Sequence, residues 1–226
     1  MDKGQVKEPK MKSQDIFILL KLVSLQRQEQ AIKTHHLEPK LHSQGWEGWD
    51  VNDEEFMLQR EISKLIPISL AAHYTARGLE DEIGVSKSEI NNSIKRCISV
   101  GLAKLDRKTN RPNANTKALL EFIVHGLKYV FPAKPAEIVR GIPTSFAAPV
   151  LEGKLLSAGE FIYVWPDAIG KNKGLSVAPL FKSVPMAVKR DPLLYEYLAL
   201  VDSIRLGNPR EAAFAEQLLE EKLRNI

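Results

Sequence analysis

The stretch from Tyr74 to Leu102 constrains this chain most, because its spacing predicts two short helices joined by a tight turn. Thr75 is suited to cap the first of these helices, in which Leu79 and Ile83 lie four residues apart. Gly84 then provides the left-handed residue with which a helix commonly ends. The pattern predicts a helix-turn-helix unit.

Ser86 opens the second predicted helix, and together with Glu89 it matches the S-x-x-E capping box. The apolar residues that recur at helical spacing on one face are Ile90, Ile94, Cys97 and Ile98. The opposite face carries Lys87, Ser88, Asn91, Asn92, Lys95 and Arg96. These side chains are donors suited to phosphate oxygens and base edges. A helix pair that only packs on a core is the alternative, since it would need the same caps.

Positive charge is concentrated in this part of the chain. From Ser86 to Lys117 there are eight basic residues against Glu89 and Asp106, while the whole chain has a net charge of +4. The pI near 9.0 therefore comes from this segment. Cations on one face release counterions when they neutralise phosphates, so the pattern favours binding of double-stranded DNA.

A basic turn follows the second helix. Gly101 to Leu105 predict a helix stop and a short apolar alternation, and Asp106 to Thr116 read DRKTNRPNANT. We interpret this as a two-stranded wing, in which Arg107, Lys108 and Arg111 would bind phosphates without reading sequence. A solvated surface loop is the alternative.

Periodicity and caps predict further elements on both sides of this unit. Upstream lies a buried first helix, Ser13 to Leu25, capped by Ser13. Downstream, Thr116 would cap a helix from Lys117 to about Val130. Short elements follow in a Pro-rich segment: one helical turn at Ala136 to Arg140, a brief helix at Leu151 to Ala158, a strand at Phe161 to Trp165 and an extended or irregular stretch at Leu175 to Val184.

The last predicted element is a helical hairpin with a wide apolar face. Asp191 and Pro192 form a helix start, Gly207 ends that helix, and Asn208 opens the final one. The hairpin could cover the winged domain or meet its copy in a homodimer. Trp165 is interpreted as a buried anchor in preference to a ligand-stacking ring.

The order of these signals resembles that of the MarR-type winged-helix transcriptional regulators, especially in Y-T-x-R-x-L and G-V-S-x-S-E-I-x-x-S-I-K-R. The phrases MKSQDIFILLKLVSL, GIPTSFAAPVL and LYEYLALVDSIRLGNPRE are similar to a family of bacterial MarR-like regulators, and the likeness covers most of Met11 to Leu223. The resemblance implies a DNA-binding half and assigns no function to the C-terminal half. We place Thr75, Arg77 and Ser86 in the predicted DNA-binding surface with the residues above.

The chain departs from that family between Gln26 and Ala72. This segment includes Trp46 and Trp49, which fit a dimer arm or an extra helix packed on the winged domain. It also includes His35, His36 and His42 near Glu38. We predict no metal site there, because no cysteine accompanies the histidines and their spacing matches no usual ligand pattern.

Several function classes are disfavoured by the sequence. The sequence contains no run of some eighteen apolar residues, so it predicts no membrane span. The charged N-terminus lacks the apolar core of a secretory signal. We therefore expect a cytoplasmic protein without membrane association. The sequence has no Gly-rich phosphate loop, G-x-S-x-G or H-E-x-x-H motif, so we predict no enzyme and no cofactor. Cys97 is interpreted as a small buried hydrophobe in preference to a redox-sensing thiol.

Together these features predict a mainly α (α+β) fold. It would comprise a disordered tail (1–12), a winged helix-turn-helix domain (13–130) with an insertion at about 27–72, and a Pro-rich segment with the C-terminal hairpin (131–226), which would serve dimerisation or partner binding. The predicted function is that of a sequence-specific DNA-binding transcriptional regulator, a repressor acting as a homodimer. The alternative is an antitoxin-like autorepressor that also binds a toxin encoded beside it.

Overall fold

The computed structural model describes residues 10–33, 70–148 and 161–224. Within these ranges the chain is a mixed α+β protein with two small sheets. The predictions for residues 1–9, for residues 34–69 of the insertion with their tryptophans and histidines, and for the brief helix at Leu151 to Ala158 lie outside the described residues. No described helix combines the length and apolar character needed to cross a membrane.

Helix α1 (Ser13–Lys33) lies at the centre of the molecule. Its residues from Ile16 to Leu25 are buried on all sides. The second strand of the wing, the second helix of the predicted unit, the start of the hairpin and the helix after the wing surround it. The predicted buried helix is confirmed, and it continues beyond Leu25. Ser13 is not its cap; instead the Asp15 carboxylate accepts a hydrogen bond from the Lys12 backbone N–H at 2.8 Å.

The two predicted short helices are present. A 3-10 turn (Leu70–Tyr74) leads into α2 (Ala76–Ile83), and α3 (Lys87–Ser99) follows after three residues. Thr75 caps α2, since its hydroxyl accepts the Gly78 N–H at 3.0 Å. Gly84 ends α2 with φ of 65°, as predicted.

A two-stranded antiparallel ribbon follows α3. Strands β1 (Ala103–Leu105) and β2 (Pro112–Ala114) pair in register, with Ala103 opposite Ala114. The Asp106 carboxylate fixes the turn between them by accepting the backbone N–H groups of Lys108 and Thr109 at 3.0 and 2.7 Å. The predicted ribbon is therefore present, with an ordered tip.

The helix predicted after the ribbon is divided in two. It consists of α4 (Thr116–His125) and α5 (Leu127–Val130), because the chain leaves the regular helix at Gly126. Thr116 does not cap it. Asn115 does, by accepting the Ala118 N–H at 3.3 Å through its side-chain oxygen.

The Pro-rich segment contains a sheet of which the sequence predicted one strand. Strand β3 (Ile138–Thr144) pairs antiparallel with β4 (Tyr163–Pro166) and β5 (Asn172–Ser176), and those two pair parallel to each other. The predicted strand at Phe161 to Trp165 is confirmed by β4. The helical turn predicted at Ala136 to Arg140 is wrong, since β-branched residues such as Ile138 and Val139 favour the strand.

The C-terminal hairpin is present. After α6 (Val184–Val188), α7 (Pro192–Leu206) and α8 (Pro209–Arg224) pack against each other. Asp191 caps α7 by accepting the Leu194 N–H at 3.0 Å. One hydrophobic cluster joins residues of α1, α2, α3, α4, α7 and α8, so the hairpin and the helix-turn-helix unit share a core.

Candidate nucleic-acid interface

The outward face of α3 presents mostly the side chains that the sequence predicted. Ser86, Lys87, Ser88, Asn91, Asn92 and Lys95 are all exposed. The buried face consists of Ile90, Ser93 and Cys97. Ile98 was predicted to face inward, but it is 36% exposed because it lies at the end of the helix, past the core. The exposed face therefore offers two carboxamides, two hydroxyls and two ammonium groups.

The N-terminus of α3 is not closed by the predicted capping box. The Ser86 hydroxyl makes no cap hydrogen bond, and it lies 3.3 Å from that of Ser88. The Glu89 carboxylate binds α1 instead, accepting from Gln14 at 2.6 Å and from the Lys12 ammonium at 3.0 Å. These hydrogen bonds lower the pKa of Glu89, which stays ionised while paired with α1.

Glu80 of α2 supplies a cap that the sequence did not reveal. Its carboxylate accepts the Lys87 backbone N–H at 3.3 Å and lies 3.7 Å from the Lys87 ammonium. A carboxylate at a helix N-terminus is stabilised by the helix dipole. The ion pair itself is exposed, and such pairs contribute only about 0 to 1 kcal/mol. A phosphate could therefore compete with Glu80 for Lys87 at little cost.

Arg96 does not belong to the outward face, and the prediction that placed it there is wrong. Its guanidinium forms a forked ion pair with Asp15, with Nε–Oδ2 and Nη2–Oδ1 distances of 3.0 and 2.6 Å. The Arg96 side chain is 11% exposed, and that of Asp15 is fully buried. Hydrogen bonding to Asp15 raises the pKa of Arg96. Arg96 thus fixes the position of α3 on α1.

The start of α2 contributes two further predicted residues. Thr75 and Arg77 are both exposed next to the first turn of this helix. The Thr75 hydroxyl is engaged as the cap, and it also donates to the Ala72 carbonyl at 2.6 Å. Arg77 keeps its guanidinium at the surface. Of the two, Arg77 is the side chain that can bind an anion.

The ribbon carries two of its three predicted cations at the tip. Arg107 and Lys108 are exposed there. Arg111 closes the turn, where its carbonyl accepts the Asp106 N–H at 2.8 Å. Its guanidinium is 5.2 Å from the centre of the Tyr74 ring and 3.6 Å from the Glu29 carboxylate of α1. This side chain, which the sequence groups with the two phosphate-binding cations, is therefore engaged within the protein by a cation–π contact and an ion pair.

A cleft of about 460 Å³ lies behind the ribbon, between the end of α1 and the start of α4. Glu29, Tyr74, Lys104, Arg111 and Lys117 contribute to its lining. The Tyr74 hydroxyl donates to Glu29 at 3.2 Å, and burial raises the pKa of this phenol. The cleft was not predicted, because it depends on contacts between residues far apart in the sequence.

Two single residues behave as the sequence predicted. Cys97 is buried, and burial raises the pKa of its thiol to about 12, so the reactive thiolate is suppressed. Trp165 is buried as an anchor, and its indole N–H donates to the Asp202 carboxylate at 2.6 Å. Among the described residues, no group of three His, Cys, Asp or Glu side chains could hold a metal ion.

Comparison of the chain with known proteins finds no matching family model, no matching curated protein and no matching solved structure.

Proposed function

We propose that this protein is a transcriptional regulator that binds double-stranded DNA through a winged helix-turn-helix surface. The observation that carries the proposal is the exposed face of α3, from Lys87 to Lys95, which combines hydrogen-bond donors with two cations. Its carboxylate, Glu89, is turned toward α1. Exposed cations at the ribbon tip, Arg107 and Lys108, extend the positive surface.

In this proposal α3 enters the major groove, which is wide enough to admit a helix. Asn91 and Asn92 would read base edges, because a carboxamide can donate to and accept from adenine at the same time. Lys87 and Lys95 would bind guanine edges or adjacent phosphates. The sequence preference would therefore depend mainly on two adjacent asparagines.

The remaining cations would hold the helix in place. Arg107 and Lys108 on the wing and Arg77 at the start of α2 would bind phosphates, which fixes position without reading sequence. Thr75, Ser86 and Ser88 add hydroxyl groups close to the same surface. Binding should consequently weaken at high salt, as counterion release requires.

We further propose that the regulator is a homodimer acting as a repressor on paired half-sites, as helix-turn-helix proteins commonly do. The surplus apolar surface expected on the hairpin is smaller than the sequence suggested, because α7 buries its residues inside its own chain. Any contact would use other surfaces, such as the exposed Tyr129 and Val130. Light scattering of the full chain, with and without a palindromic duplex, tests this point: a protein that binds such a duplex tightly as a single copy would refute the dimer.

The experiment that tests DNA readout is selection of binding sites from a random duplex library. Asn91→Ala and Asn92→Ala should each change the preferred base at one or more positions, by roughly 1 to 3 kcal/mol per lost bidentate contact. Asn172→Ala is the matched control, since Asn172 is an exposed asparagine on β5. Identical motifs for all four proteins would contradict the assignment, and no enriched sequence with the wild type would contradict the proposed function.

The described part of the Pro-rich segment gives the antitoxin-like alternative no specific support. That alternative would use the segment to cover a partner. In the structure, β4 instead packs on α7 of the same chain through Trp165, whose ring meets that of Tyr195 edge to face at 5.8 Å. The autorepressor with a protein partner is therefore not part of the proposal.

A further inference from the structure

A segment of the C-terminal half lies directly against the turn between α2 and α3. This segment, Phe181 to Arg190, includes α6 and is here called the shoulder. The Ser183 hydroxyl donates to the Ile83 carbonyl at 2.5 Å, and Ile83 is the last residue of α2. The shoulder therefore touches the helix-turn-helix unit just before α3 begins.

Three more contacts fix the shoulder in this position. The Phe181 ring stacks on Phe17 of α1, with ring centroids 6.3 Å apart. The Met186 methyl group would lie 2.7 Å from a Cβ atom at Gly84, so side chain and turn are closely packed. At the far end, the Arg190 guanidinium donates to the Asp81 carbonyl of α2 at 2.9 Å. The backbone around residue 182 is thus anchored on both sides.

Lys182 stands between two of these anchors and is exposed. Its neighbours Phe181 and Ser183 point into α1 and α2, so the packing holds the backbone while the ammonium extends into solvent. No carboxylate in the described part of the chain pairs with Lys182, whereas Lys189 pairs with Asp167 at 2.5 Å. Lys182 is thus an exposed cation on a segment that is held against the turn between α2 and α3.

We propose that the shoulder is a second flank of the DNA interface, in which Lys182 binds a backbone phosphate. This inference rests on the proposed function. Helix α3 has 13 residues and is therefore about 20 Å long. The wing follows its C-terminal end and the shoulder lies at its N-terminal end, so cations flank both ends of α3. A major groove is about 12 Å wide, and phosphate backbones border it on both sides.

The charges around Lys182 are consistent with a polyanionic partner. Arg190 is exposed at the other end of the shoulder, and Lys87 is exposed at the start of α3. The acidic residues near the shoulder include Glu80, which is engaged at the α3 N-terminus, Asp81, which is exposed, and Asp167, which pairs with Lys189. The C-terminal half, to which the resemblance assigns no function, would then contribute directly to DNA affinity.

The test compares Lys182→Ala and Lys182→Glu with a matched lysine control, Lys134→Ala. Lys134 is exposed and follows Phe131, whose carbonyl accepts from Arg205 near the C-terminal end of α7. The shoulder precedes the N-terminal end of α7, which lies about 21 Å from its C-terminal end along the helix axis. Binding of a fluorescein-labelled random-sequence duplex is measured by anisotropy over a range of salt concentrations. Circular dichroism verifies that every variant is folded.

Loss of one phosphate contact should lower the slope of log affinity against log salt by about 0.9. We expect this decrease for Lys182→Ala, a larger loss of affinity for Lys182→Glu, and wild-type behaviour for Lys134→Ala. Every duplex should be affected alike, because a phosphate contact carries no sequence information.

Two outcomes overturn the inference and are distinguishable. If both Lys182 variants keep the wild-type slope while Arg107→Ala lowers it, DNA binding stands and the shoulder is not in the interface. If the wild-type protein binds no duplex at any salt concentration, the proposed function fails and this inference fails with it.

Discussion

Replacement of Arg96 by Ala should destabilise the fold rather than remove a DNA contact. The substitution leaves the Asp15 carboxylate, which is fully buried, without its forked cation. Removing one partner of a buried ion pair typically costs about 3 to 5 kcal/mol, because the remaining charge is buried and uncompensated. The Lys12 N–H still donates to Asp15, so we expect a loss near 3 kcal/mol in the free energy of unfolding.

Urea unfolding of Arg96→Ala and of its neighbour Lys95→Ala measures the effect. Lys95 is exposed, so its replacement should change the free energy of unfolding by no more than about 0.5 kcal/mol. Lys95→Ala should lower the salt slope of DNA binding. Arg96→Ala should leave that slope unchanged under conditions in which the variant is folded. The two adjacent residues would thereby separate structural support from DNA contact.

A double variant, Asp15→Asn with Arg96→Met, makes the reasoning refutable. It removes both charges, so it should be less destabilised than the sum of the two single variants. An additive double variant would show that the two side chains do not interact. Arg96→Ala with wild-type stability and a reduced salt slope would return Arg96 to the DNA interface.

Three further predictions concern the wing, pH and the turn. Arg107→Ala and Lys108→Ala should each lower the salt slope of DNA binding by about 0.9. Arg111→Ala should leave this slope unchanged, because Arg111 pairs with Glu29. Equal slopes for wild type and all three variants would exclude the wing from the interface. The hydrogen bond that the His73 ring donates to the Glu82 carboxylate raises the pKa of His73. The stabilisation from protonated His73 is therefore fully present below its ordinary pKa of 6.5 and is lost as pH rises through its pKa in the folded state. Burial acts against ionised Glu82, but its contacts with His73 and Lys21 lower its pKa. The stabilisation from ionised Glu82 is therefore fully present above pH 4.5 and is lost as pH falls through its pKa in the folded state. The stability difference between wild type and His73→Ala, followed by urea unfolding, should therefore be largest between pH 4.5 and 6.5, and a pH-independent difference would contradict the pairing. Gly84→Ala and Gly101→Ala should each lose roughly 1 to 2 kcal/mol of free energy of unfolding from left-handed strain alone. Gly84 also packs against Met186, a contact that Gly101 lacks, so any additional loss at Gly84 measures this packing. A Gly84→Ala variant more stable than Gly101→Ala would contradict that packing.

Several elements that depend on neighbouring residues were predictable from the sequence, although the caps at Ser13 and Thr116 and the capping box at Ser86 were not confirmed. The Thr75 cap, the left-handed Gly84 and the Asp191 cap each act within three or four residues. The helical periodicity of the apolar residues in α3 also identified most of its exposed face. Such local signals are sufficient because the hydrogen bonds involved are formed within a single turn of the chain.

The errors at the candidate site involve partners that are distant in the sequence. In the sequence, Arg96 cannot be distinguished from the other polar residues of α3. In the fold, α1 brings Asp15 next to it, although the two are 81 residues apart in the sequence. The Arg111 guanidinium likewise lies 3.6 Å from the carboxylate of Glu29 on α1, 82 residues earlier in the sequence. Two strands of the sheet in the Pro-rich segment were not predicted, because the strands are short and their partners lie between 12 and 37 residues away. Propensity alone does not report such long-range contacts.

The buried contact between Lys21 and Asp191 joins residues that are 170 positions apart. A ribosome needs roughly 10 to 30 s to synthesise the chain between them. Until then α1 lacks the partner helix that covers part of its apolar surface, and its buried lysine has Glu82 as its partner. We therefore expect the fold to close only after its C-terminal hairpin has emerged, with apolar surface of α1 exposed until that point.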